Sequence, residues 1–284
     1  MKNLLILCSV LLLTACGQGS PDQYQATLQN NHIIIAGSTT VTPLISALAN
    51  VYTQNNPVTI EVQELGTTTG INSTISGVSH IAMSSRSLSD AEIDQGLTPI
   101  PIAMDGVAII VHPNNPVYNL SLEQITAIFK GEITNWSEVG GNDAGIVVVS
   151  REEGSGIRTT FESFANVQEE IEVNGNTVMV SAVTPLAIIS SGTGGIIASV
   201  SGNENAIGYV TTGVVSDAIK SLSVNGVFFS EETVRNGSYI FANVFYLGVM
   251  ESITPVAQNF IDWILSEDGQ NVVSTAEFVR IIAL

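Results

Sequence analysis

The sequence predicts an α/β protein of mainly parallel sheets flanked by helices, divided into two lobes with a ligand cleft between them. Three observations carry this. Short apolar runs of strand length alternate with helical periodicity along most of the chain. Several of these strands end in loops rich in Ser, Thr or Arg just where a helix begins, and in open α/β sheets that edge is where ligands bind. One long apolar run, 100–111, is interrupted by Asp105-Gly106, and a strongly β segment, 239–249, appears late in the chain. A bend and a return strand suit two lobes joined by two connections.

Taken in order, the chain opens with a targeting segment. Lys2 supplies a positive start, and the apolar run 4–13 is too short to span a bilayer. Leu13-Thr14-Ala15-Cys16 then has the pattern of a bacterial lipoprotein signal peptide. Residues 1–15 are expected to be removed and Cys16 to be lipidated, holding an exported protein at the cell envelope. Residues 16–30 are polar and read as a tether. Cys8 leaves with the signal, so the mature chain keeps one acylated cysteine, which excludes a disulfide and a thiolate metal site.

His32-Ile33-Ile34-Ile35-Ala36 predicts the first strand, followed by Gly37-Ser38-Thr39-Thr40-Val41-Thr42-Pro43 and a helix through Leu44, Leu48 and Val51. Pro43 suits the first helical turn, and the Ser/Thr run offers capping oxygens. A second strand over 58–62 leads to Gly66-Thr67-Thr68-Thr69-Gly70 and a short helix. A third, over 80–83, ends at Ser84-Ser85-Arg86, before a helix capped by Ser89 with Glu92 as its capping-box partner. Leu122, Ile125, Ile128 and Phe129 form a helical face that stops at Gly131.

The run 146–149 predicts a buried parallel strand, followed by Arg151-Glu152-Glu153-Gly154-Ser155-Gly156-Ile157. Ser155 is placed to cap the next helix. An arginine at a strand end beside the free N–H groups of a helix start is a means of gripping an oxyanion. Glu152 and Glu153 read as a solvated loop. Residues 185–200 read as helical segments broken by Gly192, Gly194 and Gly195. Strands are expected over 206–210 and 224–229, helices over 231–235 and 255–265, and a last short strand over 278–284. Lobe I is expected to comprise 31–105 and 238–284, and lobe II 106–237.

Of the 284 residues, 45% are hydrophobic and 12% charged, as in a globular protein. The net charge of −18 argues against nucleic acid or an anionic membrane surface as partner. It also repels anions at long range, so an anion site must work through local donors.

The segments Gly37-Ser38-Thr39-Thr40-Val41-Thr42-Pro43-Leu44, Ile81-Ala82-Met83-Ser84-Ser85-Arg86, Phe129-Lys130-Gly131-Glu132-Ile133-Thr134-Asn135-Trp136, 150–157 and Ala206-Ile207-Gly208-Tyr209-Val210 resemble the phosphate-binding lipoproteins of ABC-type phosphate importers. The resemblance spans nearly the whole mature chain, with the motifs in the family's order. It implies the type II periplasmic-binding-protein fold, capture of one inorganic phosphate ion, delivery to a membrane permease, and no catalysis or cofactor. A monomer is expected.

By motif, Thr39 and Thr40 donate from the first helix start, with Ser38 beside them. Thr67 stands where the family has a donating serine, Arg151 matches its phosphate-contacting arginine, and Ser155 and Gly156 match donors at the second-lobe helix start. Arg86 either adds charge to the site or braces its loop. Two departures stand out. Ile157 replaces a threonine, leaving only a backbone N–H. Ser85 stands where better-known members carry an aspartate that accepts the proton of HPO₄²⁻, and Asp105 is an alternative acceptor.

These departures keep open a second reading, a receptor for sulfate, molybdate or another tetrahedral oxyanion. A phosphate-ester hydrolase is a third, and little favours it. His32, His80 and His112 show no metal-ligand spacing, and the chain has neither a G-x-S-x-G elbow nor a Walker A loop. An adhesion or signalling role is a fourth, since sites graft freely onto folds.

Overall fold

The run Ile33-Ile34-Ile35 favours extended backbone because β-branched side chains are stiff at χ1. It forms the centre of β1 (His32–Gly37). The computed structural model describes residues 31–173 and 176–281. The signal peptide, Cys16 and the tether expected over 1–30 lie outside the described residues, as do 282–284.

Two strands flank β1 in parallel, β2 (Thr59–Glu64) and β3 (Ile81–Ser84). The crossovers are α1 (Thr42–Asn55) and α2 (Thr67–Ile75). Pro43 lies in the first turn of α1, but the expected side-chain cap is missing. The cap residue is Val41, and Ser38 Oγ accepts from Thr40 N at 3.2 Å instead. After β3 comes α3 (Asp90–Asp94), which carries the Ser89–Glu92 capping box the sequence predicts.

The frame of the molecule is β4 (Leu97–Val111). From Leu97 to Gly106 it pairs antiparallel with β13 (Ala242–Met250). From Val107 to Val111 it pairs instead with β10 (Ala206–Thr211), and at Ile110 and Val111 also with β11 (Lys220–Ser221). The change of partner falls at Asp105-Gly106, the break in the apolar run. Beyond it, β6 (Val147–Arg151) lies parallel to β10 on one side and to β9 (Ile188–Ser190) on the other. The strand order is β2-β1-β3-β13-β4-β10-β6-β9.

The second half also holds a small parallel pair, β5 (Asn119–Leu120) with β12 (Ser223–Val224). Its helices are α4 (Leu122–Lys130), ended by a left-handed Gly131, then α5 (Gly156–Phe164), α6 (Gly192–Ser201) and α7 (Glu231–Arg235). The chain finishes with α8 (Pro255–Leu265) and α9 (Glu267–Thr275), which cover the first half.

Apolar side chains from β1, α1, β3, β13 and α8 form one core, in which Tyr52 packs at 5.0 Å from Phe260 and 5.2 Å from Trp263. A separate core gathers the end of β4, α4, α5 and β10 around Phe129, Trp136, Phe161 and Tyr209. Each large side chain buried there contributes roughly 1.5–3 kcal/mol. The Phe161 ring stacks on Tyr209 at 4.0 Å, and this packing fixes the Tyr209 hydroxyl at the end of β6.

Three expectations need correction, and one element is new. The glycine cluster at 192–195 does not break a helix but starts one, and residues 188–190 before it form β9. The strand expected over 224–229 is only a bridge between Val224 and Val227 at the end of β12. The final strand reduces, among the described residues, to a bridge between Met104 and Val279. A hairpin of β7 (Gln168–Val173) and β8 (Asn176–Ser181), not anticipated, projects beside α5. Its exposed Glu169, Glu170 and Glu172 leave no clean apolar alternation to read.

Candidate functional site

Four helix starts meet where the two halves face each other: those of α1 and α2 from the first half, and of α5 and α6 from the second. Each leaves N–H groups without intrahelical partners, and the helix dipoles favour negative charge there.

The first half contributes hydroxyls. Gly37, at φ +146, turns the chain sharply out of β1, and a Cβ there would lie 2.2 Å from Met83 O. That approach sets Ser38 beside the end of β3, where its Oγ donates to Ser85 Oγ at 2.9 Å. Thr67 Oγ1, at the start of α2, lies 3.5 Å from both Ser85 Oγ and Ser85 N. Ser38, Thr67 and Ser85 are all buried. Thr40 Oγ1 is buried too, and no partner meets it among the described residues. A buried hydroxyl without a partner is costly unless something else satisfies it.

The second half contributes a guanidinium and a helix start. Arg151 ends β6 and is 2% exposed. Its Nη2 reaches across to Thr39 Oγ1 at 3.1 Å. Its Nε and Nη2 also bond both oxygens of Glu152, at 2.7 and 2.8 Å. Burial alone would raise the Glu152 pKa, but the Arg151 hydrogen bonds and charge, with help from Gly192 N–H, outweigh it and hold the carboxyl below its ordinary value. The arginine therefore enters the cleft with its charge largely matched.

Two further contacts fix Arg151. Its N–H donates to Tyr209 OH at 3.2 Å, and Arg158 Nη1 donates to its carbonyl at 2.8 Å. Arg158 is itself paired with Glu162 at 2.7 Å. Burial pushes the Tyr209 phenol up to about 12, so it stays neutral as a hydrogen-bond partner.

Ser155 caps α5 as predicted, accepting from Arg158 N at 3.5 Å. Gly156 lies hard against the opposite wall: a Cβ there would be 2.3 Å from Thr67 Oγ1 and 2.6 Å from Ser85 Oγ. Only glycine permits that approach. The Ile157 side chain is buried in the second core beside Phe161, so it offers the cleft only a backbone N–H.

Thus Ser38, Thr39, Thr40, Thr67, Ser85, Arg151, Ser155, Gly156 and the Ile157 N–H come together. Arg86 does not join them. Its guanidinium bonds both oxygens of Glu92, at 2.9 and 2.7 Å, and Ser87 O, which is the loop-bracing reading. Asp105 is not hydrogen-bonded to the hydroxyl cluster either. It lies in β4 opposite Asn243, accepts from the Thr212 hydroxyl and from nearby backbone N–H groups, and has no partner for Oδ2 among the described residues. The histidines are also engaged elsewhere: His80 accepts from Ile34 N, His112 from Asn114 N, and His32 faces Glu61.

Sequence reasoning missed Glu152, which is not a free loop carboxylate but the clamp on its neighbour. Glu152 lies just past the end of β6, where no strand alternation sets the direction of its side chain, so no sequence signal announces such a pair. The start of α6 was missed too, because its glycines read as a helix break; Gly192 N–H donates to Glu152 at 3.3 Å, and the residue lies beside Thr39.

The arrangement suits a small tetrahedral oxyanion: many neutral donors, one immobilised guanidinium, and room too tight at Gly156 for a side chain. Residues 19–268 match the model of the PBP superfamily domain. The chain belongs to that superfamily. It is similar to a solved Clostridium perfringens protein described as a phosphate ABC transporter substrate-binding protein with bound phosphate, at 41% identity over 89% of this chain and 100% of that one, TM-score 0.82. An ABC-type phosphate transport receptor from Vibrio cholerae is 32% identical over 87% of this chain and 99% of that one, TM-score 0.71. The phosphate-binding protein PstS of Borreliella burgdorferi is 28% identical over 99% of both chains. The type II fold expected from the resemblance is the fold of these neighbours.

Proposed function

We propose that this chain is the solute-binding receptor of an ABC importer, capturing inorganic phosphate between its two halves and delivering it to a membrane permease. The observation that carries the reading is the meeting of the Ser38, Thr39, Thr67 and Ser85 hydroxyls with Arg151 and the α5 start across a contact too close for any side chain at Gly156. Relatives named for phosphate binding and transport support it.

In this reading Ser38, Thr39, Thr40, Thr67, Ser85, Arg151, Ser155, Gly156 and Ile157 N–H hold the ion, and Arg86 stiffens the loop behind Ser85. The halves divide near 105/106 and 237/238. The protein acts as a monomeric receptor rather than an enzyme, is exported, and is anchored through a lipid on Cys16. A dense set of neutral donors suits an acidic protein, because it works at contact distance, while charges beyond about 8 Å are largely screened at physiological salt.

One observation favours a second ligand class. The only carboxylate hydrogen-bonded into the cluster among the described residues, Glu152, is already shared with Arg151. Ser85 can accept a hydrogen bond from the O–H of HPO₄²⁻ but, being uncharged, repels sulfate little. Calorimetric titration with phosphate and with sulfate tests the choice. Tight phosphate binding with much weaker sulfate binding is expected, and the reverse order would replace phosphate by sulfate as the cargo.

A further inference from the structure

Thr159 and Thr160 are adjacent on α5 and behave differently. Thr159 Oγ1 donates to Ser155 O at 3.3 Å, the usual bond of a helical threonine back to its own preceding turn. Thr160 Oγ1 turns away from its helix and donates to Ser85 O at 3.0 Å, in the other half of the molecule.

The same Ser85 carbonyl accepts a second bond, from Asn243 Nδ2 at 2.9 Å. Asn243 Oδ1 accepts from Val244 N at 2.9 Å, which orients the amide so that Nδ2 faces Ser85. Asn243 lies on β13 directly opposite Asp105, where β4 passes from one half to the other. Both lone pairs of one buried carbonyl are therefore taken, one from the far half and one from the connecting strand.

We propose that the Ser85 carbonyl is the latch point of cleft closure, with Thr160 and Asn243 as its positioning residues. Gly156 and Thr160 are four residues apart and share one helix face. That face meets Ser85 twice: Gly156 lies against its hydroxyl, and Thr160 holds its carbonyl. When the halves part, the Asn243 bond stays with the connecting strand and the Thr160 bond is lost. The Thr160 hydroxyl spends its donor on Ser85, so it acts on ligand through the closed geometry and not by touching it.

A contact made only in the closed form shifts the open–closed equilibrium. It changes affinity by the same factor where only the closed form grips the ion. A neutral hydrogen bond is worth about 1 kcal/mol, or about fivefold. The affinity readout rests on the phosphate reading above; the closure readout does not.

The test compares wild type, Thr160→Val and Thr160→Ser by phosphate calorimetry and stopped-flow release. The ligand-free open–closed distribution is measured by small-angle scattering and single-molecule energy transfer. Thr160→Val is expected to weaken phosphate about fivefold, mainly through faster release, and to enrich the open form without ligand. Thr160→Ser should restore both. Asn243→Ala frees the Ser85 carbonyl to turn away from Thr160, so it should shift the distribution the same way by a smaller amount, and it covers the case in which Thr160→Val folds poorly. Wild-type closure in both Thr160→Val and Asn243→Ala overturns the latch, as does equal impairment by Val and Ser at position 160, which would mean packing alone. If wild type fails to bind phosphate, the ligand reading falls, while the ligand-free distributions still decide the latch.

Discussion

On one wall of the cleft, Ser38, Thr40, Thr67 and Ser85 present hydroxyls with no formal charge; on the other, β6 and α5 present a guanidinium locked to a carboxylate. A hydroxyl can rotate and can donate or accept, so the first wall can meet an oxyanion in more than one protonation state. Arg151 cannot adapt in this way. Glu152, Thr39, Tyr209 and Arg158 fix its guanidinium and backbone, and its contribution is position. On the proposed reading, the adaptable wall would decide which ion is accepted and the rigid wall how firmly it is held.

The comparison breaks most sharply at Arg151. Arg151→Ala should weaken phosphate by about 2–5 kcal/mol, because it removes the guanidinium and leaves the Glu152 carboxylate unpaired at the site. Unchanged melting with lost calorimetric heat is the expected pair of results. A wild-type dissociation constant would show that the neutral wall alone holds the ion.

Next in size is an effect on the strand that joins the two walls. Asp105 is 1% exposed, and burial, opposed in part by bonds from Thr212, Gly106 and Gly213, raises its pKa from 3.8 to about 7. The folded protein thus keeps a proton there that the unfolded chain releases above about pH 4. Stability from this group falls as pH rises from about 4 to about 7 and is level beyond, a loss of about 4 kcal/mol at most. Asp105→Asn should flatten that slope and melt higher than wild type at pH 8. Parallel pH profiles for the two proteins would place the titration elsewhere.

Gly156→Ala tests the distance between the walls. The new methyl would meet Thr67 and Ser85, at a cost of about 1–3 kcal/mol to closure. Phosphate affinity should drop by that amount while thermal stability of the ligand-free protein changes less. Equal losses in both would locate the strain within α5. The smallest change sharpens the adaptable wall: Ser85→Asp supplies a fixed acceptor and should weaken sulfate about tenfold or more while phosphate binding is retained. Equal weakening of both ions would mean that the wild-type acceptor lies elsewhere.

Much of this was open to reading because the signals are local. Ser155 and the Ser89–Glu92 pair cap helices through groups three residues away, and Gly131 ends a helix by its own left-handed backbone. The break at Asp105-Gly106 marked the change of partner along β4 because a buried aspartate interrupts an apolar strand whatever lies around it. The hydroxyl loops at Ser38, Thr67 and Ser85 were visible as a repeated strand-to-helix device, and the family resemblance supplied the ion.

By itself, then, the sequence determined much of the order of elements, the caps at Ser89 and Ser155, the bend, and which loops carry donors, since each depends on neighbours a few residues along the chain. Only the tertiary structure decided how those loops are used. Glu152 clamps Arg151 rather than facing solvent, Ile157 turns into the core, Arg86 goes to Glu92, and the glycine cluster at 192–195 opens a helix. Ser85 O is held by Thr160 and Asn243, which lie 75 and 158 residues away in the chain. The physical reason is the same throughout: a polar side chain takes the partner that burial leaves it, and burial is set by the packing of the two cores rather than by the residues next to it.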